Sequence, residues 1–220
     1  MKQPAVAIDG PAGSGKSTVA RLLADRLGYI YVDTGAMYRA AALAAKRAGV
    51  KANDERGLEA LMSQVDIQLN SDSKGGRIYL NGEDVSDSIR TEEAGMAASI
   101  YSRSPAVRKR LVQLQRGMAE TGGVVMEGRD IGTVVLPDAE VKIFLDANPV
   151  ERARRRALEL RQRGQEVDEQ AVLDDVLRRD RQDQERQLAP LMAASDAIKI
   201  DTTNLDIEGV LGEVMSRIRR

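Results

Sequence analysis

The sequence predicts an α/β protein of three layers: a five-stranded parallel sheet with helices on both faces, a small inserted antiparallel β lobe and a helical lid. Three observations predict it. The first is a strand–glycine loop–helix unit at Ala5-Val6-Ala7-Ile8-Asp9-Gly10-Pro11-Ala12-Gly13-Ser14-Gly15-Lys16-Ser17-Thr18. The second is a rhythm of short apolar runs alternating with longer helical patterns, as in a parallel sheet covered by helices. The third is a break in that rhythm between about 65 and 90, where short runs alternate in the manner of antiparallel strands.

Small or β-branched residues from Ala5 to Ile8 read as a buried strand. From Lys16 onward Val19, Leu22, Leu23 and Leu27 recur at the spacing of one helical face. Between them, Gly10-x-x-x-x-Gly15-Lys16-Ser17 fits the triphosphate P-loop without mismatch, which makes the fold class a P-loop NTPase. Glycines let the backbone bend around an anion and turn its N–H groups inward, and the helix that follows adds the positive end of its dipole. Gly10, Pro11, Ala12, Gly13, Ser14, Gly15, Lys16, Ser17 and Thr18 are therefore the candidate cradle. Lys16 supplies a mobile charge for β- and γ-phosphates, and the Ser17 hydroxyl is the candidate Mg²⁺ ligand. An ordinary glycine turn is the competing explanation.

Gly28 stops the first helix, and Tyr29 to Val32 read as the second strand, closed by Asp33-Thr34-Gly35. An alanine-rich helix is expected from Ala36 to Ala48, and Asn53 reads as the cap of a short helix carrying Leu58, Leu61 and Met62. Val65, Ile67 and Leu69 alternate, as do Ile78 and Leu80. Ser71 to Gly76 form a turn between them, and Asn81-Gly82 is a hairpin signal before Glu83-Asp84-Val85. A lobe is the reading adopted, against a decorated surface loop. Thr91 caps a helix through Ser102, and Pro105 opens another that stops at Gly122-Gly123. Val124 to Glu127 and Val141 to Leu145 are further strands, followed by a charged helix from Asn148-Pro149 to Arg163. Asp168 caps the next helix, to about Gln187; Ala197 to Ile200 form the fifth strand, and Asp206 caps the last helix.

Composition narrows the chemistry. The 220 residues contain no histidine and no cysteine, which removes a histidine base, thiolate chemistry, disulfides and the usual zinc sites. Any metal is held by oxygen, which favours Mg²⁺. The net charge of −1 gives no overall attraction to nucleic acid or membrane, and no apolar run is long enough to span one. With no leader segment apparent, a cytoplasmic monomer is expected. Arginines nonetheless number 25 against 8 lysines, and arginine suits two-pronged contact with phosphate, although a compositional bias explains the count equally well.

Four stretches together resemble bacterial cytidylate kinases: Gly10 to Thr18, Asp33-Thr34-Gly35-Ala36-Met37-Tyr38-Arg39, Glu127-Gly128-Arg129-Asp130-Ile131-Gly132, and Arg179-x-x-x-Asp183-x-x-Arg186. The resemblance implies transfer of the γ-phosphoryl of ATP, with Mg²⁺, to CMP or dCMP on a nucleoside-monophosphate-kinase fold. It implies one kinase domain, with a core of 1–35, 122–149 and 166–220, a monophosphate-binding region with the β lobe at 36–121, and a lid at 150–165. By the same resemblance Arg39 and Arg129 go to the acceptor phosphate. Asp130, Ser99 and Arg108 read the cytosine edge, Asp183 takes the ribose hydroxyl, and Arg179 and Arg186 approach ribose and phosphate. Thr34 and Tyr38 complete the CMP set, and Lys16, Arg129, Arg186, Arg155 and Arg156 are the candidate catalytic charges.

The residues themselves agree with such chemistry. An acceptor that is already an ionised phosphate needs no general base, so positioning and neutralisation suffice. Arg179, Asp183 and Arg186 fall on one helical face, as do Arg152, Arg155 and Arg156, while Arg154 departs. By spacing alone these are equally solvated faces with local ion pairs. Asp33 and Glu127 remain competing candidates for a water-mediated metal contact. A P-loop kinase for UMP and CMP or for a shikimate-like alcohol, and a nucleotide-dependent switch, stay open as alternatives.

Overall fold

Strand β1 (Ala5–Asp9) takes the centre of a five-stranded parallel sheet, which is why Val6, Ala7 and Ile8 lose all exposure. The computed structural model describes residues 3–70, 76–162 and 164–218. The strand order is β2 (Ile30–Asp33), β6 (Val124–Gly128), β1, β7 (Val141–Asp146), β8 (Ile198–Asp201). Ala5 pairs in register with Val124, and Val6 with Val141. The carboxyl ends of β1, β2 and β6 thus meet at one edge, where open α/β sheets bind ligands.

Side chains alternate across a strand, so each strand feeds two cores. On one face Val6, Ile8, Val125, Ile143 and Leu145 pack beneath α1 (Lys16–Leu27) and α8 (Ile207–Ile218). On the other, Ala7 and Met126 pack against α2 (Thr34–Arg47), α3 (Glu55–Gln64), α4 (Glu92–Tyr101) and α5 (Pro105–Ala119). The expected α/β/α layering with five parallel strands is what the chain adopts.

The inserted lobe is a separate antiparallel sheet of β3 (Ile67–Asn70), β4 (Arg77–Leu80) and β5 (Glu83–Asp84). Asn81 and Gly82 both have positive φ, 50° and 83°, the geometry a tight two-residue hairpin requires. Ile67, Ile78 and Leu80 belong to the same apolar cluster as Met37 and Leu111, so the lobe shares the second core. Of the turn expected at Ser71 to Gly76, all but Gly76 lies outside the described residues, as does Arg163.

Two helix starts differ from expectation. Helix α2 begins at Thr34 because the Asp33 carboxylate accepts the Ala36 N–H at 2.8 Å, which folds Thr34 and Gly35 into the first turn. Helix α3 is capped by Asp54, not Asn53, through the Gly57 N–H at 2.9 Å. Thr91, Asp168 and Asp206 cap their helices as read. After β6 the chain makes one wide helical turn, Ile131–Val135, closed by bonds from Val135 N to Asp130 O and from Leu136 N to Ile131 O. Helices α6 (Pro149–Gln162) and α7 (Glu169–Gln184) pack against each other over the same end of the sheet.

Candidate active site

The cradle between β1 and α1 owes its shape to glycine. Gly13 and Gly15 hold φ of 78° and 86°, and a Cβ on Gly13 would lie 3.0 Å from the Cβ of Arg152. A Cβ on Gly10, whose φ is 154°, would overlap the Leu145 carbonyl oxygen of β7. We expect Gly10→Ala to lower Tm by roughly 5–15 °C in a thermal melt of the free protein.

Lys16 is buried inside the loop, its ammonium donating to the Pro11 carbonyl at 3.1 Å. Burial pushes its pKa down to about 8. The Arg129 guanidinium lowers it further, while Glu127, Asp33 and Asp183 oppose the shift. Those charges come from β6, from the end of β2 and from α7, so the P-loop and the predicted acceptor residues face one crevice. The Ser14 hydroxyl is buried with no hydrogen-bond partner among the described residues, an oxygen left over for a ligand.

Glu127, the penultimate residue of β6, is almost fully buried. The Tyr31 phenol donates to its carboxylate at 2.7 Å. Burial raises the Glu127 pKa, the neighbouring Asp33 carboxylate adds to the rise, and Lys16 pulls against it. Thr34 donates its hydroxyl to the Glu127 carbonyl at 2.7 Å. This oxygen-rich corner fits a hard cation beside the cradle. A cavity of about 390 Å³ opens there, lined by Ser17, Arg21, Tyr31, Asp33, Arg39 and Arg90 among others.

The charged acceptor residues lie in four ion-paired sets. Arg108 of α5 pairs with Asp130, both buried. Burial pushes the Tyr38 phenol up to about 12. Arg129 donates to Asp183 at 2.9 Å, and Arg186 pairs with the other oxygen of the same carboxylate. Burial also lowers the Arg186 pKa, so one buried carboxylate holds two guanidiniums together. Arg39 pairs with Asp33 at 3.1 Å. Arg179 turns to Asp175 at 2.8 Å, on its own helix. Ser99 sits half-buried on α4, and its backbone carbonyl accepts the Ser102 hydroxyl at 3.0 Å.

The arginine run of α6 divides as its spacing implies, with Arg154 most exposed, and then departs from expectation. Arg152 is buried and does not reach outward. It makes a two-pronged pair with Asp180 of α7 at 3.0 and 2.6 Å and donates to Ala12 O of the cradle at 3.2 Å. Arg155 donates to the carbonyl and hydroxyl of Thr202, whose hydroxyl in turn donates to Ser14 O at 3.1 Å. Arg156 pairs with Glu159 on the surface. Sequence reasoning missed Arg152 as a pin, and missed Asp180, Thr202 and Asp9. Both oxygens of Asp9 accept backbone N–H groups beyond Asp130. A carboxylate ending an otherwise apolar central strand was the available signal for Asp9.

Positive charge on both sides of one crevice suits phosphoryl transfer, and with this fold it defines a small P-loop kinase, a phosphotransferase. Comparison narrows the class. Residues 6–220 match the family described as Cytidylate kinase, and the chain belongs to that family. The cytidylate kinase of Pelotomaculum thermopropionicum is 54% identical over 216 residues, covering 98% of this chain and 96% of the relative. That of Geobacter sp. strain M21 is 54% identical over 212 residues, covering 96% and 91%. Among solved structures, a shikimate kinase from Bacteroides thetaiotaomicron aligns over 99% of both chains with a TM-score of 0.51 at 12% identity, a likeness of fold alone.

Proposed function

We propose that the protein transfers the γ-phosphoryl of ATP to CMP or dCMP, giving CDP or dCDP and ADP. The observation that carries this reading is geometric: Arg152 ties Ala12 of the cradle to Asp180 of α7, and on the same helix Asp183 holds Arg129 and Arg186, so donor cradle and acceptor set share one space.

In this reading the cradle holds the triphosphate through its backbone N–H groups. Lys16 and Arg155 meet the charge of the transferring group, with Arg156 swinging in as the lid closes. Arg129 and Arg186 exchange Asp183 for the acceptor phosphate, Arg39 joins them, and Asp183 and Arg179 turn to the ribose. Ser17 would hold Mg²⁺, with Glu127 or Asp33 as the candidate for contact through water; when bound, the ion would neutralise charge on the phosphate oxygens. The acceptor oxygen is already ionised, so no side chain has to take a proton. The working parts are a core of 1–35, 122–149 and 166–220, a monophosphate-binding region of 36–121 and a lid of 150–165.

Base choice follows from Asp130 and Arg108, with Ser99 of α4 as the third candidate contact. A carboxylate accepts from the 4-amino group of cytosine and a guanidinium donates to its ring acceptors. Uracil would set its O4 acceptor against the Asp130 carboxylate with no proton to share between them, a mismatch worth on the order of 100-fold or more. ADP release measured across CMP, dCMP, UMP, AMP and shikimate tests the reading. Turnover with CMP and dCMP far above the rest is expected, and equal or better turnover with UMP or shikimate overturns it.

A further inference from the structure

Asp130 occupies the capping position of the wide turn at Ile131–Val135, with φ −146° and ψ 27°, yet its side chain caps nothing. An aspartate at the start of a helical turn ordinarily folds back onto the first free N–H groups. Here the first two of those groups are already taken. The Ile131 N–H donates to Asp9 Oδ1 and the Gly132 N–H to Asp9 Oδ2, both at 2.8 Å, and Asp9 is only 4% exposed. The Asp130 carboxylate is left to pair with Arg108 instead.

We infer that Asp9 is a positioning residue for base specificity: it caps the turn from across the sheet and so frees the Asp130 carboxylate to face the acceptor base. The inference rests on the reading of Asp130 as the cytosine-facing group. Geometry gives the reason for a carboxylate at this place. Two adjacent N–H donors need two acceptor oxygens on one rigid group, and β1 presents that group at its carboxyl end, immediately before the cradle. Asp9 also joins the P-loop strand to the acceptor loop 122 residues later, by bonds that belong to no strand ladder. Asparagine keeps one acceptor but sets an amide N–H₂ against the second donor, so the turn loses its clamp and Asp130 gains a competing partner.

The test is the ratio of kcat/KM for CMP to that for UMP. In Asp9→Asn this ratio falls roughly tenfold or more, through loss with CMP, while KM for ATP changes less than about twofold. A merely structural role lowers both nucleotides together and leaves the ratio intact, which overturns the inference. In an Asp130→Asn background, Asp9→Asn produces no further change in the ratio, because the group it positions is gone; a further fall means that Asp9 acts elsewhere, and overturns it too. If Asp130→Asn alone leaves the ratio unchanged, the base-facing reading fails and takes the inference with it. If Asp130→Asn collapses the ratio and Asp9→Asn does not, only the inference fails. Should Asp9→Asn not fold, Asp9→Ser, which retains a single acceptor, is read by the same ratio.

Discussion

We expect Arg129→Ala to lower kcat/KM for CMP by about 10²–10³-fold, the scale on which a charged donor aimed at a phosphate contributes to turnover. Little else should change. Asp183 keeps Arg186 as a partner after the substitution, and the Arg129 side chain is already a quarter exposed, so folding loses only on the order of 1 kcal/mol. The donor side should be spared or slightly favoured, because the Arg129 guanidinium is among the groups that hold the Lys16 pKa down. Without it the ammonium is more firmly charged at neutral pH, and the triphosphate meets at least as much positive charge as before. Calorimetric titration should therefore give an ATP Kd within about threefold of the parent, or tighter, beside a CMP Kd weakened by at least tenfold. A variant in which ATP binding is the greater loss would move Arg129 to the donor side and undo the acceptor assignment.

Much of this site is legible in the chain because its parts are local. A loop that must hold positive φ at Gly13 and Gly15 cannot be written with other residues without strain, and its glycines stand beside the lysine and hydroxyl they serve. The hairpin at Asn81-Gly82 and the caps at Thr91, Asp168 and Asp206 are equally local, and all were foreseen. Misreadings by one or two residues arise where neighbours compete. Asn53 and Asp54 are both competent caps, and in the folded chain it is Asp54 that takes the Gly57 N–H. Asp33 reads as turn chemistry and acts as a cap, so α2 starts earlier than its alanine run suggests. What the chain hides is long-range pairing. The wide turn at Ile131–Val135 lies in an apolar run with no helical period, and the group that caps it comes from β1. The face shared by Arg152, Arg155 and Arg156 follows from spacing, but the burial of Arg152 depends on Asp180, which reaches it only once α6 and α7 pack together.

Lys16→Met should all but abolish turnover, by about 10³-fold or more, and yet yield a more stable protein. The ammonium lies buried with one carbonyl as its hydrogen-bond partner, and burial holds its pKa at about 8 against 10.5 when unfolded. A group whose charged form is disfavoured in the folded state costs stability below the folded pKa, here on the order of 3 kcal/mol near neutral pH. Between pH 8 and 10.5 the unfolded chain binds the extra proton, so this contribution raises stability as pH increases through that window. Methionine has a similar shape and no charge, so the cost disappears at every pH. The expected Tm gain at pH 7 is roughly 6–12 °C, shrinking to nothing by about pH 11. Saturating ATP should reverse the order, because the triphosphate supplies the counter-charge that the empty cradle lacks and stabilises only the parent. Thermal melts of both proteins from pH 7 to 11, with and without ATP, decide the matter: a parent more stable than Lys16→Met in the absence of nucleotide would show that the lysine is already satisfied by its carboxylate neighbours, and that the cradle stores no unmet charge for its ligand.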